Sequence, residues 1–156
     1  MRNITIVAVA LFSFLITSCS KDDSSTAPTA SGGSMTASID GSSWSSSLIT
    51  QATVQGGVLA VAGQDGSVRQ IQLRVINFAG QGTYSLGSGN MHLATVVTGT
   101  TANDMYTANM VAGTGSIIVT ESTSSRIKGT FTFTARNTAG GTKSVTNGNF
   151  DVPISQ

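Results

Sequence analysis

From Ile127 to Arg136 the chain alternates without a break. Ile127, Gly129, Phe131, Phe133 and Ala135 occupy one register, and Lys128, Thr130, Thr132, Thr134 and Arg136 the other. Successive side chains of an extended strand point to opposite faces, so one side of this segment is apolar and the other carries hydroxyls and bases. A helix would scatter both rows around its circumference. The segment therefore predicts a long strand with one face in a core and the other in water. Shorter alternation sets Ile71, Leu73 and Val75 against Gln70, Gln72 and Arg74, and Met35, Ala37 and Ile39 against Thr36 and Ser38. Val58 to Ala62 is apolar throughout, the pattern of a strand covered on both faces.

Further strands are expected at Trp44–Gln55, Gly82–Leu86, Met91–Thr98, Tyr106–Ala112, Ser116–Glu121 and Thr142–Ile154. Turn clusters separate them, among them Asp40-Gly41, Gln55-Gly56-Gly57, Asp65-Gly66, Asn103-Asp104 and Gly113-Thr114-Gly115. Asn147-Gly148 is read as a bulge inside one long last strand, because Phe150, Val152 and Ile154 need a partner as long as the 126–136 strand. No apolar stripe of 3.6-residue period runs through 35–156. Many short strands at close spacing predict an all-β fold, an antiparallel β-sandwich, with a small closed or partly open β-barrel as the alternative.

The first 18 residues have a different character. Met1-Arg2-Asn3 is a short basic start, and Ile4 to Ile16 is an uncharged, mostly apolar run of 13 residues. A membrane-spanning helix takes about 20 apolar residues, so the run is too short for an anchor and suits an export signal. It ends in Ile16-Thr17-Ser18-Cys19, an aliphatic residue, two small residues and the only cysteine of the chain. This stretch resembles the lipobox of bacterial lipoproteins. The resemblance implies cleavage before Cys19 and acylation of its thiol and amine, and two or more acyl chains hold a protein durably on a membrane. The following Lys21-Asp22-Asp23 resembles the export motif of Bacteroidetes-type lipoproteins. It implies an outer-membrane, cell-surface location, with the periplasmic leaflet as the alternative.

Residues 19–34 continue as a tether. Ser24 to Ser34 is small and polar, with one proline and two glycines, and behaves as a flexible linker. Residues 35–156 then form a single domain of 122 residues, long enough for a real core. Without a further cysteine that core has no disulfide to support it. The domain carries six bases against five acids, a formal +1 with no basic cluster, which argues against a nucleic-acid partner.

Met35-Thr36-Ala37-Ser38-Ile39-Asp40-Gly41 followed by Trp44 resembles the "A-x-I-D-G-x-x-W" opening of uncharacterised Bacteroidetes-type lipoprotein domains. Arg126 to Phe133 and Thr146 to Pro153 resemble the closing hairpin of the same group. The resemblance implies a β-rich lipoprotein domain and assigns no activity.

Nothing in the sequence composes a catalytic site. His92 is the only histidine, and no recognisable partner orients it as a base. A second histidine, a second thiol and an acidic D-x-D-x-D-G loop are all missing, so no metal or cofactor is expected. Asp40 and Asp65 each precede a glycine and read as turn residues. Trp44, Tyr84 and Tyr106 are the candidate ligand-stacking aromatics, against a competing role in packing. The sequence thus points to a non-enzymatic, lipid-anchored surface protein whose domain binds a glycan, a polymer or a protein. The alternative is a structural envelope lipoprotein without a small ligand. Two or more solvent-facing aromatics on one face would favour a glycan, whereas an apolar patch or a free sheet edge would favour a structural subunit.

Overall fold

The computed structural model describes residues 32–155; the expected signal, Cys19 and the Lys21-Asp22-Asp23 motif lie outside the described residues. Eleven strands run in chain order: β1 (Ser34–Ile39), β2 (Ser42–Ser45), β3 (Ile49–Gln55), β4 (Val58–Gln64), β5 (Gln70–Ile76), β6 (Gly82–Leu86), β7 (Leu93–Val97), β8 (Met105–Ala108), β9 (Thr114–Ser122), β10 (Arg126–Arg136) and β11 (Thr142–Pro153). Among the described residues the only helical piece is a 3-10 turn at Ala102–Asp104, and no helix is long and apolar enough to cross a membrane.

All the strands join one antiparallel sheet in the order β2-β1-β11-β10-β8-β7-β5-β4-β3. Strand β10 shares its second edge between β9, which it pairs from Ile127 to Thr134, and β8, which it meets at Arg136 and Thr107. Strand β6 extends this branch by pairing with β9. The sheet curls into a half-barrel. Near the seam β3 touches the end of β11, where Ser155 N–H donates to Ala52 O at 2.8 Å. The all-β, antiparallel expectation holds, and of its two arrangements the continuous curled sheet corresponds to the partly open barrel.

The 126–136 strand is present as read. Ile127, Gly129, Phe131, Phe133 and Ala135 are buried, while Lys128, Thr130 and Thr134 are half-buried and Thr132 and Arg136 exposed. Phe131 stacks between Phe133 and Phe150, with ring centroids 6.2 and 6.4 Å apart. The bulge also lies where expected. Phe131 pairs with Gly148 but Phe133 with Val145, so β11 carries an extra residue here, and Asn147 takes a φ of 51°. The bend curls β11 toward the core and lets it serve β1 and β10 at once.

Three expectations need correction. Trp44–Gln55 is not one strand: it breaks after Ser45, because Ser47 and Leu48 N–H both turn to Gln64 O at 3.0 Å and leave the β1 ladder. Tyr106–Ala112 stops at Ala108, where the Asn109 side-chain oxygen takes the N–H groups of Val111 (2.8 Å) and Ala112 (3.0 Å) and closes a turn. Val58–Ala62 is not covered on both faces. Leu59 and Val61 enter the core, whereas Val58, Ala60 and Ala62 lie half-buried on the outer face beside Thr53 and Arg74, with no second layer over them.

Candidate functional site

Hydroxyl side chains gather where β1 and β2 approach the β4–β5 turn. The short β2 carries Ser43 and Ser45, and its outgoing loop carries Ser47. Alternation along β1 turns Met35, Ala37 and Ile39 inward and leaves Thr36 and Ser38 outward. With Ser67 these residues line a groove of about 540 Å³, which also takes in Asp65, Arg69 and Asn147. Trp44 contributes to the lining, but its ring turns to the inner face, buried at 3 % exposure and packed over Gly63, where an added Cβ would come within 3.0 Å of the indole and 2.8 Å of Met35 Sδ. The indole Nε1–H has no partner.

The charged wall of the groove is pre-set. Asp65 Oδ1 accepts the N–H groups of Ser67 (2.8 Å) and Arg69 (3.0 Å), and Oδ2 accepts from Arg69 Nε at 2.7 Å. Burial pushes the Asp65 carboxyl up, but these backbone N–H groups and the guanidinium outweigh it and hold the group below the usual aspartate range. Arg69 remains partly exposed along the groove. A smaller hollow of about 320 Å³ adjoins the bulge and is lined by Ser116, Thr130, Thr132, Gly148 and Asn149 together with the apolar Ile118 and Phe131. Asn147 lines both concavities, so the two adjoin across β1, β11, β10 and β9, with hydroxyls and amides along them and the apolar Ile118 among these.

A family described as a domain of unknown function, DUF6252, matches residues 31–153. The chain belongs to this family. The match spans both the 35–44 opening and the closing 126–153 segments. No curated protein and no solved structure matches the chain.

Within the DUF6252 domain the expected aromatic platform is not assembled. Trp44 is core and offers no ring face to solvent. Tyr84, on β6, is half-buried: its hydroxyl donates to Gly80 O at 2.7 Å and accepts from Ala79 N–H at 3.2 Å, and its ring packs with Phe78 and His92. Tyr106 lies on β8, a strand that does not neighbour β6, with Lys143 Nζ 5.5 Å above its ring. Each of the three is used in packing, because a half-barrel this small needs its large rings for the core and seam.

The ionisable residues of the domain are dispersed. Asp40 pairs with Lys143 at 2.7 Å, Glu121 with Lys128 at 3.0 Å and Asp151 with Arg126, while Asp104 accepts from Thr101 at the 3-10 turn. His92 accepts the Ile76 N–H on Nδ1 at 3.2 Å, and burial lowers its pKa. Among the described residues no group of three acids, histidines or cysteines converges on one point. The groove itself escaped the reading of the sequence, because its lining comes from four separated segments of ordinary serines and threonines. The one local signal is the Asp65-Gly66 cluster, which predicts a turn and nothing more.

Proposed function

We propose that this chain is a lipid-anchored, non-catalytic surface lipoprotein of the bacterial outer membrane, whose DUF6252 domain binds an extended, neutral, hydroxyl-bearing polymer such as a glycan strand. The observation that carries the ligand reading is the track of adjoining concavities that share Asn147. Serine, threonine and amide groups can exchange hydrogen bonds with sugar hydroxyls in both directions, and the Asp65–Arg69 pair adds an acceptor and a donor without a net charge. The aromatic platform expected of a glycan binder is not assembled among the described residues, so this reading rests on the hydroxyl-lined groove alone and requires a long ligand held by many weak hydrogen bonds. Lipid anchoring is supported by Ile16 to Cys19, and surface display by Lys21-Asp22-Asp23.

Trp44 is the only tryptophan and, with its ring in the core, contributes to the groove lining, so its fluorescence serves as a reporter of binding. Titration with neutral oligosaccharides of increasing length should change Trp44 emission, with affinity rising with chain length. Asn147→Gly keeps a residue suited to positive φ and removes the shared amide, so it should weaken binding about tenfold, the worth of one well-made polar contact. Equal affinity for short and long chains, or for both proteins, would rule the track out.

A second reading, an accessory subunit docked on a larger protein, draws on Met91, Met110 and Val111. These exposed residues flank the paired β7 and β8, whose Ala94 and Ala108 are opposite one another. Flexible thioethers suit adaptable protein contacts. Photo-crosslinkers at Met110 that capture one envelope protein, with no oligosaccharide response at Trp44, would favour this reading.

A further inference from the structure

Backbone strain and exposed apolar surface coincide at the β4–β5 turn. Four non-glycine residues among those described hold a positive φ: Asp40 (49°), Asn77 (53°), Asn147 (51°) and Val68 (61°). Asp and Asn tolerate this region, but a β-branched side chain does not, and Val68 is an outlier. Eleven glycines elsewhere take positive φ, so the strained form is the one this chain ordinarily gives to glycine. The turn forces it: Asp65 N–H donates to Arg69 O at 3.0 Å, and Asp65 Oδ1 grips the N–H groups of Ser67 and Arg69. Val68 does not recover this strain by entering the core, since it is 47 % exposed. An apolar side chain held outward at an energetic cost points to a contact outside the domain.

Two more exposed apolar side chains sit on the loop that is hydrogen-bonded to this turn. Leu48 is 57 % and Ile49 40 % exposed, and their loop is pinned to the turn by Gly66 N–H donating to Ser47 Oγ at 3.2 Å and Leu48 N–H donating to Gln64 O at 3.0 Å. The tether joins the domain at the same place. A Cβ on Gly33 would lie 3.1 Å from both Thr50 O and Pro153 Cδ, so the chain leaves the sheet next to Ile49. Thirteen peptide links separate Cys19 from Gly32, which bounds their separation at about 45 Å of fully extended chain. The nearby acids Asp65 and Asp151 are each paired, with Arg69 and Arg126, and present no lone negative charge to a headgroup surface.

We propose that Leu48, Ile49 and Val68 form a lipid-contacting tip, seated at the headgroup boundary of the bilayer to which Cys19 tethers the chain; this rests on the anchoring reading above. Three apolar side chains bind a membrane only weakly from solution. A short tether raises the effective concentration of bilayer at the tip to the millimolar range, and the weak contact then suffices to orient the domain. With the tip down, Ser47 and Ser67 mark the membrane-proximal end of the groove, and the track leads from there across the sheet through Asn147.

The test does not depend on how cells process the chain. Residues 19–156 are coupled through Cys19, their only thiol, to a maleimide lipid in phosphatidylcholine vesicles with brominated acyl chains. Leu48→Trp should show blue-shifted emission quenched at least twofold relative to unbrominated vesicles. Gln55→Trp lies at the far end of β3, about 20 Å away at the rise of a strand, and should not respond. Buried Trp44 supplies a constant background. Adding Val68→Asn, which relieves the strain, should return Leu48→Trp emission to the control level while the urea midpoint stays equal or rises. Equal response at positions 48 and 55, or full quenching that survives Val68→Asn, would overturn the tip. Fatty-acid labelling of Cys19 in cells decides the anchoring reading separately, and its failure would leave the vesicle result standing.

Discussion

The ring of Phe131 fills the space that a side chain on Gly148 would need. The two residues are paired across β10 and β11, and a Cβ on Gly148 would stand 2.5 Å from ring atoms Cδ2 and Cε2 and from the Phe131 carbonyl oxygen. The arrangement is reciprocated two residues along the ladder, where Gly129 faces Phe150 and its missing Cβ would lie 2.5 Å from Phe150 Cζ. Neither glycine takes a positive φ, so each is required by what stands across from it: the ring and carbonyl oxygen of Phe131 for Gly148, and the Phe150 ring with the still closer Ile118 carbonyl oxygen of β9 for Gly129. Gly148→Ala and Gly129→Ala should each destabilise the domain by about 1–3 kcal/mol through overpacking. In the Gly148→Ala background, Phe131→Leu should recover part of the loss. Urea denaturation of the four proteins gives the coupling, and strictly additive effects would refute the packing relation.

The two faces of β10 should differ sharply. Phe131→Ala or Phe133→Ala should cost about 3–5 kcal/mol, a large share of what holds a domain of this size together. Thr132 is exposed on the other face, and its hydroxyl donates to Val145 O at 3.1 Å across the bulge. Thr132→Ala should therefore cost about 1 kcal/mol, the worth of one neutral hydrogen bond. Urea midpoints measure the contrast, and a Thr132 loss as large as the Phe131 loss would mean that the outer face is covered.

Strand β10 and the bulge in β11 were legible because period-two alternation is local: each residue's face follows from its own position. The closure of the half-barrel was not, since Gly33 meeting Thr50, and Ser155 meeting Ala52, depends on the accumulated curl of the whole sheet. Val58 to Ala62 misled for a related reason, because an apolar run does not say whether a second layer exists to cover it. Trp44 marked the family opening, yet nothing nearby told that its ring would be core. The groove was illegible because it is built from the outward residues of β1 and β2, the β4–β5 turn and the bulge of β11, mostly serines and threonines that look like any wet face. Val68 was hidden too. A positive φ at valine contradicts local preference, and only the grip of the Asp65 carboxylate makes it stable.

On the lipoprotein reading, Cys19 and the residues after it act before the domain does. Cys19→Ala should abolish incorporation of a clickable fatty acid and leave the precursor unprocessed, and undiminished labelling would refute the anchor. Changing Lys21, Asp22 and Asp23 together to Ala should leave a lipidated protein on the inner leaflet, shielded from protease added to intact cells. Equal digestion of both forms would reduce these residues to solvated tail.

Acid should weaken the fold through two turns. Asp40 accepts from Lys143 Nζ at 2.7 Å and from Ser144 N–H at 2.9 Å, and the lysine contact above all lowers its pKa. Asp65 is lowered as well, against its burial, by the bonds that shape the β4–β5 turn. A carboxyl whose folded-state pKa lies below its unfolded value binds fewer protons folded than unfolded. Its contribution is therefore complete above the ordinary aspartate value of about 4 and is lost as pH falls through the lowered folded-state value. Stability measured by urea denaturation should be flat in this respect from pH 7 to about pH 5, then decline steeply below about pH 4. Asp40→Asn and Asp65→Asn keep the turn geometry and remove the titrating group, so each should make the decline shallower, and the double variant shallower still. The change in slope is the informative quantity, because loss of the ion pair also shifts stability at neutral pH. An unchanged slope in the double variant would show that neither carboxylate is preferentially ionised in the fold, and that the Asp65 grip on Val68 does not depend on its charge.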